Sequence, residues 1–258
     1  VIPDGANAVV MQENTQLTQN GFVEFLQLPK IQENIRPQGQ DITSGTIILR
    51  QGEKLTPAAI GLLATIGKAS VKVYRRLKVV YFCTGDELVT AEQELKVGQI
   101  YNSNSPLLGA LLTEQGYEAI DGGVIADNLP DTIQTLADAA KQADVVMTTG
   151  GVSVGEEDHV KAALQHIGQL DLWRVAIKPG KPLAFGYIGA TPFIGLPGNP
   201  QSVFVTFKVM AQVFLAYYQG QRDKVIPTFV NIPIDFAVKK AQGRREYLRV
   251  RLVQNEQV

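Results

Sequence analysis

Thr148-Thr149-Gly150-Gly151-Val152-Ser153-Val154-Gly155-Glu156-Glu157-Asp158 follows the apolar run that begins at Asp144 and precedes an amphipathic stretch with Val160, Leu164 and Ile167 on one helical face. A short buried strand, a glycine-rich turn and a helix in that order are the unit of an open parallel α/β sheet, whose turns gather backbone amides and carboxylates at the carboxyl edge. Two further turns of the same kind lie downstream, Ile177-Lys178-Pro179-Gly180-Lys181-Pro182 and Gly195-Leu196-Pro197-Gly198-Asn199-Pro200-Gln201-Ser202. Together they point to an anionic ligand at one sheet edge.

The same alternation extends on both sides. Val79 to Cys83 reads as a buried strand ending at Thr84-Gly85-Asp86-Glu87, and Ser105-Pro106 opens a helix that Gly116 closes. Glu118 to Ile125 is the next strand, ending at Asp127, and Ile133, Leu136, Ala137 and Ala140 stripe another helix. Leu183 to Tyr187 and Pro192 to Leu196 supply two strands more, and Asn199-Pro200 starts a long apolar helix to about Tyr218. The expected domain is a three-layer α/β unit with a mostly parallel sheet over residues 77–220. Upstream, Thr56-Pro57 and Gly67 bracket a helix, Ser70 to Arg76 alternates like a half-buried strand, and the segment to about Gly45 reads as short strands and loops. This gives a β-rich module at 1–45 and a helix-strand segment at 46–76. After Gly220, FVNIPIDF and REYLRVRL return to alternation, so 221–258 reads as the start of a second β module. The first residue is Val1 and the last, Val258, follows a strand-like pattern, which suggests a fragment.

Lysine and arginine number 24 against 25 aspartates and glutamates, for a net charge of -1. No general attraction to nucleic acid or an anionic membrane is expected from that balance. Val203 to Tyr218 is too short for a membrane span and the N-terminus lacks signal-peptide character. Cys83 is the single cysteine, which excludes an internal disulfide and suits a reducing cytoplasm.

Glu87, Asp127 and Asp158 each follow a strand, so all three can meet at one rim although distant in sequence. Carboxylates without nearby His or Cys favour a hard cation such as magnesium. The structural alternative is that Asp127 and Asp158 cap the helices that follow them. The lysine turn suits an oxyanion, or is a solvated loop. Asn199 to Ser202 offers amides at a helix start, or simply a cap. Gly151 to Gly155 matches G-x-S-x-G, yet the histidines His159 and His166 lie on the very next helix, in the wrong order for a hydrolase triad, and read as surface residues. Neither G-x-x-x-x-G-K-[ST] nor G-x-G-x-x-G occurs.

Thr84-Gly85-Asp86-Glu87-Leu88, Gly98-Gln99-Ile100 with Asn102-Ser103-Asn104, the 149–155 turn with Asp158, the lysine turn, and Gly195 to Pro200 with Ser202 form an ordered set. That set resembles the molybdopterin molybdenumtransferase family, the bacterial MoeA type also found as the E domain of gephyrin. Pro3 to Val10, with Arg36, Gly39 and Asp41, resembles the family's preceding β domain. Pro37 and Asn128 depart from the family's usual basic and acidic residues. The resemblance implies hydrolysis of adenylylated molybdopterin with release of AMP, and insertion of molybdate, the final step of molybdenum cofactor synthesis. It implies Glu87, Asp127 and Asp158 as Mg2+ ligands and, with Asp41, as catalytic carboxylates. It implies a substrate surface of Thr84, Gly85, Asp86, Ser103, Asn104, Gly150, Gly151, Ser153, Gly155 and Asn199. Lys178, Lys181, Pro182, Ser202 and Arg244 would surround molybdate. A homodimer, with Asp41 acting across the interface, and partnership with the pathway's adenylyltransferase and acceptor molybdoenzymes are further implications. An adenylyltransferase and a gephyrin-like scaffold are the competing expectations; the flanking β modules argue against the former, which shares the α/β domain alone.

Overall fold

A computed structural model describes residues 2–152, 159–222, 225–226, 228–237 and 243–253. The chain divides into two compact units, Val1–Arg50 and Gln51–Val258.

In the first unit, β1 (Thr15–Leu17) and β2 (Val23–Phe25) pair antiparallel, with Thr15 opposite Phe25. Thr18 closes the connection: its Oγ1 donates to Phe22 O at 3.0 Å and accepts from Phe22 N at 3.1 Å.

The second unit opens with α1 (Pro57–Thr65), which starts where the sequence places it: Thr56 Oγ1 accepts from Ala59 N and proline occupies the first turn. Its centre is a six-stranded sheet. β3 (Lys78–Thr84), β6 (Glu118–Ile125), β7 (Val145–Thr149) and β11 (Thr191–Leu196) run parallel. β10 (Pro182–Ile188) and β8 (Gly168–Arg174) complete it antiparallel, in the order β6-β3-β7-β11-β10-β8. Among the described residues four two-residue strands lie outside this sheet: β4 (Leu88–Val89) pairs with β5 (Ile100–Tyr101), and β9 (Ile177–Lys178) takes a partner from the C-terminal segment. That partner is β12 (Arg245–Glu246).

Helices cover both faces, as three layers require. On one side α2 (Asn104–Glu114) and the helix from Pro200 to Tyr218 bury Leu108, Leu111, Leu112, Val203, Phe207, Ala211 and Leu215 against Val79, Tyr81, Val145, Met147 and Leu196. On the other, α3 (Leu129–Ala140) and α4 (His159–Ile167) bury Leu136, Ala139, Val160, Ala163 and Leu164 against Val80, Phe82, Val146 and Phe193. The long helix is α5 (Pro200–Thr206), a π-helical turn over Phe207–Ala211, and α6 (Gln212–Tyr218). Its buried residues recur every fourth position, and 3.6 residues per turn would drift such a stripe off the sheet. The wider turn restores the phase, so Val203, Phe207, Ala211 and Leu215 stay in one line.

β6 carries an irregularity. Between Tyr81 and Cys83 of β3 it advances from Asp121 to Val124, a one-residue bulge at Gly122–Gly123. Gly123 adopts φ +84° and its N–H donates to Asp121 Oδ1, while a Cβ on Gly122 would meet the Phe82 ring at 2.1 Å.

Some expected strands do not form. Ser70 to Arg76 is exposed and pairs with no strand, the sheet beginning only at Lys78. FVNIPIDF likewise forms no strand, and of REYLRVRL only Arg245–Glu246 pairs. Conversely β8 is a strand that hydrophobic alternation did not reveal. Among the described residues no helix is long and apolar enough to cross a membrane.

At the amino ends of the strands, Asp144 accepts from both Arg75 terminal nitrogens at 2.5 Å and from Lys78 N at 2.8 Å. The Arg75 guanidinium holds this carboxyl below its ordinary value of 3.8. The contribution is therefore complete above about pH 4 and is lost as the pH falls below it. Asp144→Asn should cost about 1 kcal/mol at neutral pH by urea unfolding, much of the pair being exposed. The gap from the native chain should narrow as the pH falls below the ordinary value of 3.8.

Candidate functional site

The carboxyl ends of three of the parallel strands, β3, β7 and β11, meet in an interlock of small residues. Gly150 follows β7 at φ +85°, and a Cβ there would lie 2.6 Å from Thr84 Oγ1 and 2.9 Å from Thr84 O at the end of β3. Only glycine lets those two turns touch. Gly150 N donates to Leu196 O at 3.0 Å, and the Cβ direction of Gly198 points at Gly150 Cα, 3.6 Å away. Asn104, at the start of α2, completes the contact: its Nδ2 donates to Gly198 O at 2.6 Å. Asn104 is 7% exposed and its Oδ1 is buried without a hydrogen-bond partner. The Gly198 carbonyl fixes the amide orientation, since the flipped form would set two acceptors face to face.

Thr84, Gly85, Asp86, Glu87, Ser103, Asn104, Gly150, Gly151 and Asn199 are thus at one rim of the sheet. Ser153, Gly155 and Asp158 lie outside the described residues. The cap of α2 is Asn102, whose Oδ1 accepts from Ser105 N at 3.1 Å.

Asp127 follows β6, and its N–H donates to Asp86 Oδ1 at 3.2 Å, tying the ends of β3 and β6. The Glu87 carboxylate folds back over Gly85, where a Cβ would meet Glu87 Oε2 at 2.5 Å. Asp127 does not cap α3. Asn128 does, its Oδ1 accepting from Asp131 N at 2.9 Å, so the amide in place of an acid has a structural reason and Asp127 is left at the rim. His159, expected at the surface, is half-buried instead, with Nε2 3.8 Å from Asp127 Oδ1. His166 is exposed as expected. Among the described residues, no three His, Cys, Asp or Glu converge as a metal cage.

Cys83, immediately before Thr84, is buried and accepts from Thr149 Oγ1 at 3.3 Å. Burial pushes its thiol pKa up, so it is a packing group and not a nucleophile.

The lysine turn reaches the same rim by another route. It links β8 to β10, where Arg174 faces Pro182, and Val175 N donates to Lys181 O at 3.0 Å across its neck. Gly180 is buried against α5: at φ +106° its Cβ would lie 2.5 Å from Thr206 Cγ2. Thr206 Oγ1 donates to Ser202 O at 2.7 Å, so the turn rests one helical turn above Ser202. The amides of Gln201 and Ser202 are not free for a ligand. Asn199 Oδ1 accepts from both, at 3.0 and 3.3 Å. Lys178 Nζ pairs with Glu246 Oε1 at 2.8 Å, and Arg244 immediately precedes β12. Asp41 belongs to the first unit, where Arg36 Nη1 contacts it at 3.5 Å.

Residues 81–217 match the family model described as a probable molybdopterin binding domain, and residues 1–67 match the MoeA N-terminal region, domains I and II. The chain belongs to this MoeA-type, molybdopterin-binding family. Within the family, it is 44% identical over 257 residues to the molybdopterin molybdenumtransferase of Haemophilus influenzae, covering 100% of this chain and 64% of that protein. It is 38% identical to gephyrin of Dictyostelium discoideum over 90% of this chain and 36% of that protein. A crystal structure of the molybdopterin biosynthesis MoeA protein from Pyrococcus horikoshii superposes with a TM-score of 0.68 at 31% identity, over 85% of this chain and 55% of that one. The chain therefore spans less than two thirds of the length of these relatives. The rim described above falls inside the region that the molybdopterin-binding model matches.

Because Gly150 both needs a positive φ and touches Thr84, Gly150→Ala should force the two turns apart. A loss of about 1–3 kcal/mol is expected in urea unfolding, with slow-exchanging amides at Gly150 losing protection.

Proposed function

We propose that the full-length protein binds adenylylated molybdopterin and molybdate, hydrolyses the pyrophosphate link with release of AMP, and places molybdenum on the dithiolene sulfurs. The observation that carries this reading is the interlock of Thr84, Asn104, Gly150 and Gly198, which builds a glycine-lined, amide-bearing rim beside a lysine turn. The names of the relatives supply the substrate class.

In this reading the parts divide the work. The turns after β3 and β7, with Gly85, Gly150 and Gly151, receive the pyrophosphate, glycine letting its oxygens come close to the backbone. Water adds to one phosphorus as the bridging P–O bond breaks and AMP departs. Asp86, Glu87 and Asp127 are exposed oxygen donors at the rim, which fits Mg2+ held by one or two carboxylates and completed by substrate phosphate. Glu87, Asp127 and Asp158 would hold it, and its charge would offset that of the phosphates. His159 orients Asp127 from α4. Lys181, Pro182, Ser202 and Arg244 surround the tetrahedral oxyanion together with Lys178.

The reading extends to a homodimer in the cytoplasm, with Asp41 acting across the interface. The adenylyltransferase of the pathway would supply the substrate and molybdoenzymes would receive the product. It also divides the chain into a β-rich domain at 1–45, part of an elongated domain at 46–76, the molybdopterin-binding domain at 77–220 and the start of a C-terminal barrel at 221–258.

Two variants of the full-length protein test the two halves. Asp158→Asn should abolish AMP release from adenylylated molybdopterin, measured by chromatography; unchanged release would overturn the hydrolytic assignment. Lys181→Ala should weaken molybdate binding about 10- to 100-fold in calorimetry, through loss of a charge-assisted contact. An unaltered titration would overturn the oxyanion reading of the lysine turn.

A further inference from the structure

The two lysines of the oxyanion turn are not equivalent. Lys181 has no ion pair among the described residues, whereas Lys178 Nζ lies 2.8 Å from Glu246 Oε1. That pairing is set by the backbone. β12 runs parallel to β9 with Arg245 opposite Ile177 and Glu246 opposite Lys178. Arg245 N donates to Ala176 O at 2.9 Å, and Tyr247 N donates to Lys178 O at 2.7 Å. The ladder therefore delivers a carboxylate to one particular lysine. No other acidic side chain contacts the turn among the described residues.

The turn is held at two points. Gly180 is buried on Thr206 and the neck is closed by Val175 and Lys181. Lys178 and Glu246 keep 52% and 38% of their side-chain surface, so the pair is open to solvent and exchangeable. An exposed ion pair of this kind is weak enough for a dianion to displace.

We propose that Glu246 is a positioning residue that pairs with Lys178 and is displaced from it when the oxyanion binds. Glu246 and the oxyanion compete for the same ammonium, which Glu246 contacts at 2.8 Å. The ammonium exchanges one oxygen ligand for another, and no proton moves. Anion occupancy is thereby linked to the hold of the C-terminal segment on the turn, because the side chain that leaves Lys178 belongs to the strand that docks there. This inference rests on the oxyanion reading of the lysine turn.

Molybdate titration by calorimetry of the full-length native protein and of the Lys181→Ala, Glu246→Gln, Lys178→Met and Lys178→Met/Glu246→Gln variants separates the two. If Lys181→Ala leaves the affinity unchanged, or the native protein takes up no molybdate, the oxyanion reading falls and this inference with it. If Lys181→Ala weakens binding, Glu246→Gln decides. Direct competition predicts binding about two- to fivefold tighter than native. It also predicts that the gain vanishes in the Lys178→Met background. Weaker or equal binding in Glu246→Gln overturns the proposal, because damage to the turn would not tighten it. A gain that persists in Lys178→Met also overturns it, since removal of a nearby negative charge would then be sufficient.

Discussion

The close approach of Gly150 to Thr84 is the constraint on which the rest of the site depends. With a Cβ only 2.6 Å from the Thr84 hydroxyl, no other residue lets the ends of β3 and β7 touch. Gly198 and Asn104 then close over the pair, so four segments far apart in sequence share one small region. The parallel sheet makes this meeting possible, because it delivers several strand ends to the same edge. The cores on its two faces hold the strands in register, and the Arg75–Asp144 clamp secures the opposite ends. Rigidity below and backbone exposure above are the combination that an anion-binding rim requires.

The lysine turn shows how a mixed sheet enlarges such a rim. β10 runs against β11, so its beginning, and not its end, lies beside Leu196. A connection that leads into a strand is thus brought next to connections that lead out of strands. Cations and glycine-lined amides become neighbours without a second sheet.

Much of this was legible in the sequence because it rests on local patterns. Glu118 to Ile125 forms the strand expected of it, Thr56 and Pro57 start their helix, and both faces of the sheet are covered. What escaped depends on tertiary partners. Ser70 to Arg76 alternates convincingly, yet no strand edge is there to receive it. β8 alternates only over the four residues Gln169 to Leu172, too short a run to stand out, and pairing with β10 decides it. The sequence offers Asp127 as a cap of α3, yet Asn128 takes that role by accepting from Asp131 N. Nothing local announces that Glu246 will stand opposite Lys178, because that pairing spans distant segments. His159 carried one signal, its place directly after Asp158, and its approach to Asp127 is a property of the folded sheet.

The bulge in β6 settles which layer receives Asp127. A strand exchanges faces at every residue, so one inserted position reverses the phase of all that follow. Ahead of the bulge it is the even-numbered Ile120 that packs on the α3 and α4 side; beyond it, the odd-numbered Ile125 does. Asp127 shares the new phase and comes within 3.8 Å of His159 on α4. Two consecutive glycines within the strand act as a switch of parity. The address of a carboxylate at the rim is thereby written four residues earlier, inside the sheet.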